Sequence, residues 1–481
     1  MERREFLTRT AAVTGGAAFA AGPFHGLVAT AANPAPGSGR APATPALGPL
    51  KPVADDRDGQ VRLHLPDGFS YRSFSAVGDP MDDGYPAPAR PDGMAAFRGW
   101  GGTTVLVRNH EVPGTPGAFG NLAQAYDTLG GGGTTTLTVN RHGRLTDQRI
   151  SLNGTIMNCS GGPMPWGAWI SAEETIDGPD VKSPVPGADN SKLKKKHGYI
   201  FEVPLRGASS SEPVRAAGRF QHESVCFDPT SGALYLTEDN PLFPSGFYRY
   251  LPPVHPMRAG RVLDGGRLQM LAVAGTPRAQ LQLGQPKGAA YGVNWVDIDD
   301  PDPTFSPGAT WFDAAPTVSR EGQAKGAAVF SRLEGAVYQD GSVYFVSTQG
   351  GDAAPGDEFP PGPGGLSAFG AGRGQVWAYD IRHQRLRLVY QSPHSSVLDM
   401  PDNIAVSPRG TLILCEDGEE ENYLRGLTAR GALFDIARLA PVAGDPDAEF
   451  AGSTFDPDGH TLYVNVQSRA GCTIAIRGPW L

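Results

Sequence analysis

The chain has 481 residues, with 64 glycines, 44 prolines and only 19% charged residues, a composition that favours short strands and tight turns over long helices. A formal net charge of −9, with no sustained stripe of Lys and Arg, excludes a nucleic-acid surface, which needs clustered cations to neutralise phosphates. Four widely spaced cysteines with no CxxC pair exclude a zinc finger and a dense disulfide scaffold.

At the N-terminus, Arg3-Arg4 followed by Phe6-Leu7, a mildly apolar Ala/Gly stretch and Ala29-Thr30-Ala31 read as a twin-arginine signal over residues 1–32. That makes the twin-arginine export machinery a partner and places the mature chain in the periplasm or outside the cell. Residues 33–55 read as a Pro/Ala/Gly linker, and 56–481 as a single domain. No later stretch is apolar and long enough to span a bilayer, so no transmembrane anchor is expected after processing, and a monomer is expected.

From residue 93 onward a hairpin pattern recurs: an apolar run, a turn rich in Asp, Pro and Gly, then an alternating run. It is loose in "MAAFRGWGGTTVLVRNHE" and "MPWGAWISAEE". It is clear in "SVCFDPTSGALYLTED", "GAVYQDGSVYFVSTQ", "IAVSPRGTLILCEDG" and "STFDPDGHTLYVNVQ". Six units over this length predict an all-β, six-bladed β-propeller with a metal site at its axial channel, with an enlarged blade between Asp239 and Arg332. Lys192–His197, "KLKKKH", reads as a solvated loop, with attraction of an anionic substrate as its alternative. Cys226 and Cys415 lie in apolar strand patterns and read as small buried hydrophobes, whereas Cys159 sits among Gly and polar residues.

Each hairpin is preceded by polar residues ("PDG", "NCSGG", "HES", "RLEG", "PDN", "EFAG"), and acids recur where the second strand ends. The hairpin geometry brings both positions to one face, so Cys159, Glu223, Glu334, Asp402, Asn403, Glu111, Glu173, Glu174, Glu238, Asp239 and Glu416 should converge. That many carboxylates stay ionised in a partly dry channel only beside cations. Oxygen donors suit calcium, and the lone thiolate suits a transition ion such as iron. Gly161-Gly162 would let backbone approach the metals, and Trp166 and Trp169 would pack the blade. His110 and His222 read as structural imidazoles as readily as ligands. Arg332 offers a planar fork for phosphate oxygens, its alternative being a salt bridge. No GxSxG elbow, HExxH helix or Walker loop occurs.

The ordered set "RNHE", "NCSGGPMPWGAWISAEET", "HGYIFEV", "RFQHES", "YLTED", "FSRLEG", "GQVWAYD", "MPDNIAVSPRGTLILCEDG" and "GPW" resembles the PhoX-type alkaline phosphatase family over nearly all of residues 93–480. The resemblance implies an exported propeller holding two ferric ions and several calcium ions, with a bridging oxygen as nucleophile against phosphate monoesters. It implies Cys159, Glu223 and Glu334 as iron ligands and Glu111, Glu173, Asp239 and Asp402 on calcium. Arg332 would be the catalytic group holding the substrate phosphate, with Asn109 and Asn403 as secondary contacts. The alternatives are a calcium-dependent propeller lactonase or esterase, and a noncatalytic metal-stabilised binding propeller. The Gly/Pro-rich 350–374 segment reads as a lid or an insertion.

Overall fold

The computed structural model describes residues 47–183, 189–306, 308–353, 369–418, 421–442, 445 and 448–480. The expected export signal, most of the linker and the centre of the 350–374 segment lie outside them. Lys51–Ala54 (β1), within the expected linker, is a strand paired with Val61–Leu65 (β2), so ordered chain begins earlier than residue 56. Ser70–Phe74 (β3) follows.

Pro91–Arg98 (β4), Thr104–His110 (β5), Gly132–Val139 (β6) and Leu145–Thr155 (β7) then form an antiparallel sheet in chain order. Asn158–Met164 (β8) and Ala168–Glu173 (β9) come next, then the short Val181–Lys182 (β10), then Ile200–Pro204 (β11), which completes a sheet with β8 and β9. His222–Phe227 (β12), Leu234–Glu238 (β13), Phe247–Leu251 (β14) and Arg267–Val273 (β15) repeat the meander. Ala290–Asp297 (β16) and Ala309–Thr310 (β17) follow, the latter parallel to β10. Leu333–Gln339 (β18), Ser342–Ser347 (β19), Gln375–Asp380 (β20) and Arg385–Gln391 (β21) are the next four. Pro401–Val406 (β22), Leu412–Glu416 (β23), Tyr423–Leu427 (β24) and Leu433–Leu439 (β25) precede Glu449–Phe455 (β26), Thr461–Gln467 (β27) and Cys472–Arg477 (β28).

The fold is all-β and propeller-like, with only a few short helices. The first strands β4, β8, β12, β18, β22 and β26 pack in succession, and β26 returns against β4. Strand β3 hydrogen-bonds to β28, so an N-terminal segment completes the C-terminal sheet. The sheets are not six separate four-stranded units. Strand β16 pairs with β15 through residues 293–297 and with β21 through residues 290–292, which fuses two meanders into nine strands. This bridge occupies the stretch where an enlarged blade is expected. Strands β1 and β2 extend another sheet to six.

Apolar side chains fill the wedges between neighbouring sheets: Ile170, Val225, Leu236 and Met270 share one cluster, and Ile413, Ile436, Val464 and Ile474 another. Each such side chain contributes about 1.5–3 kcal/mol on burial. Cys226 and Cys415 lie buried among strands as expected. The basic run is only partly solvated: Lys196 bonds to Asp302 and Thr304, and His197 is buried.

Near the ring the strands approach too closely for side chains. A Cβ on Gly162 would overlap the Val225 carbonyl oxygen, and one on Gly161 that of Ile170. These glycines therefore serve strand contact, which corrects the expectation that they make room for metal. Gly162→Ala should lower stability by about 3 kcal/mol or more, because backbone must move to admit the methyl. Denaturant unfolding checks this, and an unchanged midpoint would contradict it.

Candidate metal centre

One local unit recurs at one end of the ring. In five hairpins the register slips after the first paired residue, so two residues of the first strand oppose one of the second. The pairs are Asp92-Gly93 against Asn109, Cys159-Ser160 against Ala172, Glu223-Ser224 against Thr237, Glu334-Gly335 against Val346, and Asp402-Asn403 against Cys415. The β26–β27 hairpin slips too, but carries Gly452-Ser453. A bulge of this kind bends its strand and re-aims the extra side chain. Here the re-aimed residues are four carboxylates and one thiol.

The entry to the unit is equally regular. Arg90 (φ 50°), Met157 (φ 49°), Arg332 (φ 43°) and Met400 (φ 45°) precede their strands in the left-handed region. Such residues cost about 1–3 kcal/mol each and persist only where surroundings hold them. The hold is visible. The amides of Glu111, Glu174, Asp239, Thr348 and Asp417 donate to the carbonyls of Arg90, Met157, Gln221, Arg332 and Met400, at 2.8–3.1 Å. Each bond fixes the residue just beyond the second strand, and four of those five are acids.

The two sets meet. Donor atoms of Cys159, Glu174 and Glu223 lie within 4.8 Å of one another, as do those of Glu223, Glu334 and Asp402. Glu223 joins the groups and is fully buried, and among the described residues neither of its carboxylate oxygens has a hydrogen-bond partner, although the Cys159 thiol lies near enough to favour its charged form. The Cys159 thiol donates to Asp92 Oδ2 at 3.3 Å, while Asp92 Oδ1 is likewise buried and unpartnered. Burial, compounded by neighbouring acids, pushes Asp92, Glu174, Glu223 and Glu334 well above the usual carboxylate range. The same cause holds Glu111 and Asp402 at about 7 and raises the Cys159 thiol.

Arg332 enters this acidic set as a half-buried cation. Its Nε and Nη2 donate to Asp239 at 2.8–3.2 Å, and Nη2 also to Glu334 at 2.9 Å. Nη1 has no protein partner among the described residues.

Of the side chains expected from sequence to converge, the cluster gathers Cys159, Glu174, Glu223, Glu334 and Asp402, with Asp239 held at its edge by Arg332 and Glu111 by Arg90 at 3.4 Å. Glu173 is elsewhere. Its oxygens accept from Ile156 N, Gly198 N and Tyr199 N at 2.8–3.2 Å and meet His197 Nδ1 at 2.6 Å. Glu238 and Glu416, at the same hairpin position, are spent in the same way on Gly246 N and Tyr248, and on Asp399 N and Arg425. Alternation along the strand turns the next residue, Glu174, inward instead.

Asn109 is also structural. Its Nδ2 donates to the carbonyls of Cys159 and Ser160, and its Oδ1 accepts from Trp169 and Ser171, which leaves nothing for a substrate. Asn403 bonds Asp402 and the Gly452 amide. His110 is held between Ala89 O and Thr135, and His222 stacks on Phe220 and bonds Gly218 O. Trp166 hydrogen-bonds Glu202 and packs edge-on against Phe227 of the next sheet, and Trp169 hydrogen-bonds Asn109 and packs with Ala95 and Val107 of the preceding one. Asp92 is missing from the ligand set drawn from sequence, although its place in "PDG" matches that of Cys159 in "NCS" and Glu223 in "HES".

An all-β ring with a thiol-and-carboxylate cluster and an arginine defines a propeller-like protein with an acidic site whose donor groups could hold a metal ion. The chain belongs to the alkaline phosphatase PhoX family, whose sequence model matches residues 48–470, and it is a phosphatase. Among solved structures, Pseudomonas fluorescens PhoX in complex with vanadate, a transition-state analogue, is 15% identical with a TM-score of 0.61, covering 89% of this chain and 97% of that one. A gluconolactonase from Xanthomonas campestris is 13% identical with a TM-score of 0.40, covering 91% and 99%. Comparison with curated proteins gives no match.

The raised carboxyls make a pH prediction for metal-free protein. A group that holds its proton more tightly folded than unfolded contributes stability below its unfolded value near 4, and that contribution is lost as pH rises through the folded value. With Glu111 and Asp402 at about 7, the chelated protein should melt at a lower temperature at pH 8 than at pH 5.5. Excess calcium should restore more stability at the higher pH. A melting temperature that climbs with pH in chelator would contradict the cluster's electrostatics.

Proposed function

We propose that the chain is an exported, six-bladed, metal-dependent phosphatase that hydrolyses small phosphate monoesters as a monomer. The observation that carries this reading is Glu223: a fully buried carboxylate with two unpartnered oxygens where the two donor groups meet. A group in that condition needs either a proton or a cation. The closed succession of six bulged hairpins supports the six-blade count, with β16 as a staple between two blades.

The donor set fits the ions expected of the family. Cys159, Glu223 and Glu334 would hold iron, to which a thiolate is suited. Asp402, Glu111 and Asp239 would hold calcium, which takes oxygen ligands. Glu174 replaces Glu173 in this set, and Asp92 joins it through Cys159. Bound ions would supply charge neutralisation and Lewis-acid activation of the phosphoryl group and its attacking water.

The chain's own residues prepare the site. Neutralising Asp239 and Glu334 would loosen their grip on Arg332, and its Nη1 offers a donor with no protein partner among the described residues. A planar fork held this way suits an equatorial phosphoryl oxygen, where charge builds in the transition state. Asn109 clamps the Cys159 carbonyl, so the thiol stays aimed at the axis. The twin-arginine signal and the export it implies rest on residues 1–32. The lactonase alternative leaves the thiol without a part.

Natively expressed protein should contain iron and calcium and release phosphate from a monoester. Cys159→Ser should lose iron and at least about 100-fold of activity, and Arg332→Ala should lower kcat/KM by about 100-fold with metal content retained. Metal analysis with steady-state kinetics decides it. Full ester cleavage by Cys159→Ser in calcium alone, or metallated protein without phosphate release, would overturn the reading.

A further inference from the structure

Arg332 has a counterpart. Arg90 also immediately precedes a first strand, also adopts the left-handed conformation, and its carbonyl also accepts from the residue just past the second strand. In the succession β4, β8, β12, β18, β22, β26 the strands that follow Arg90 and Arg332 are three places apart. The two guanidiniums therefore enter from opposite sides of the acidic cluster.

Their settings differ. Arg332 is clasped by Asp239 and Glu334, and 18% of its side chain is exposed. Arg90 is 37% exposed, and among the described residues its guanidinium is held only by long contacts, 3.4 Å to Glu111 Oε2 and 3.3 Å to Gln467 Oε1, both from Nη1. Gln467 is tied in turn to Asp92 Oδ2 at 2.6 Å, which keeps this side of the entrance in register with the cluster. The more exposed arginine stands nearer solvent, where the leaving group of an ester held by Arg332 would project. A guanidinium there, with Nε and Nη2 free of protein partners among the described residues, matches a planar anion.

We propose that Arg90 recognises a second anionic group, a carboxylate or another phosphate, on the leaving group of the substrate. This rests on the phosphatase reading and adds a substrate class to it: monoesters of anionic alcohols. Arg90 is thus a specificity residue rather than a holder of the transferring phosphoryl group. Its flexible, weakly tethered fork can rotate from Glu111 to an incoming anion, as Arg332 cannot without releasing two carboxylates.

The test compares 4-nitrophenyl phosphate, whose leaving group carries no second acid, with 4-carboxyphenyl phosphate, on metallated wild type, Arg90→Ala and Arg90→Lys. Arg90→Ala should cost the neutral ester a few-fold, and the carboxylated ester about tenfold more, chiefly in KM. Arg90→Lys, keeping charge without the fork, should fall between. Equal losses on both esters would assign Arg90 to the phosphoryl group or to Glu111 alone and overturn the proposal, as would no loss on either. Metal content and melting temperature, measured on each variant, expose a merely structural effect as an equal loss accompanied by lost metal. Wild type that turns over both esters upholds the phosphatase reading whatever Arg90 does, whereas wild type that turns over neither overturns both.

Discussion

Like charges crowded into a dry space set the terms for this molecule. Asp92, Glu174, Glu223, Glu334 and Asp402 crowd around a thiol, all of them buried except the half-buried Glu174, and among the described residues Arg332 is the cation that bonds into the set, through Glu334. A hydrophobic core gains nothing from such a gathering, and carboxylates left there must either keep protons or bind cations. Everything near the ring is arranged around that conflict. Glu173 and Glu416 place both oxygens on hydrogen-bond donors and Glu238 places one, while Glu174 and Asp239, which follow Glu173 and Glu238, reach the cluster.

The device that creates the conflict is a backbone one. The same register slip occurs in each hairpin of the ring, and it turns what would be one strand residue among many into a side chain directed at its neighbours across the axis. Glycine or serine follows the re-aimed side chain in every unit but Asp402-Asn403, and at the glycines the next strand's backbone lies against them: a Cβ on Gly93 would meet Ser160, and one on Gly335 would meet Asp402. Close strand packing and ligand display are thus one geometric fact. Where the sixth unit has Gly452, the ring keeps its backbone and gives up a donor.

Much of this was legible in the chain itself. The hairpin repeat, with its Asp-Gly turns, announced an all-β ring, and the shared position of Cys159, Glu223, Glu334 and Asp402 at hairpin entries announced their meeting. Two things escaped. Glu173 and Glu174 are both acids at a strand end, and which one faces inward depends on strand register, which a bulge shifts by one residue. Asn109 sits beside the site, yet the carbonyls of Cys159 and Ser160 claim its amide, a contact across 50 residues that no local pattern encodes. The fused nine-stranded sheet was hidden for a similar reason, since β16 pairs with a strand nearly a hundred residues further along the chain.

Anomalous scattering at the iron edge, from crystals of natively metallated protein, tests the central claim most directly. The account predicts strong peaks bonded to Cys159 Sγ and to both Glu223 oxygens, with lighter calcium-compatible density toward Asp402 and Asp239. Ordered, protonated side chains in that cluster, with no ion between them in active protein, would contradict it.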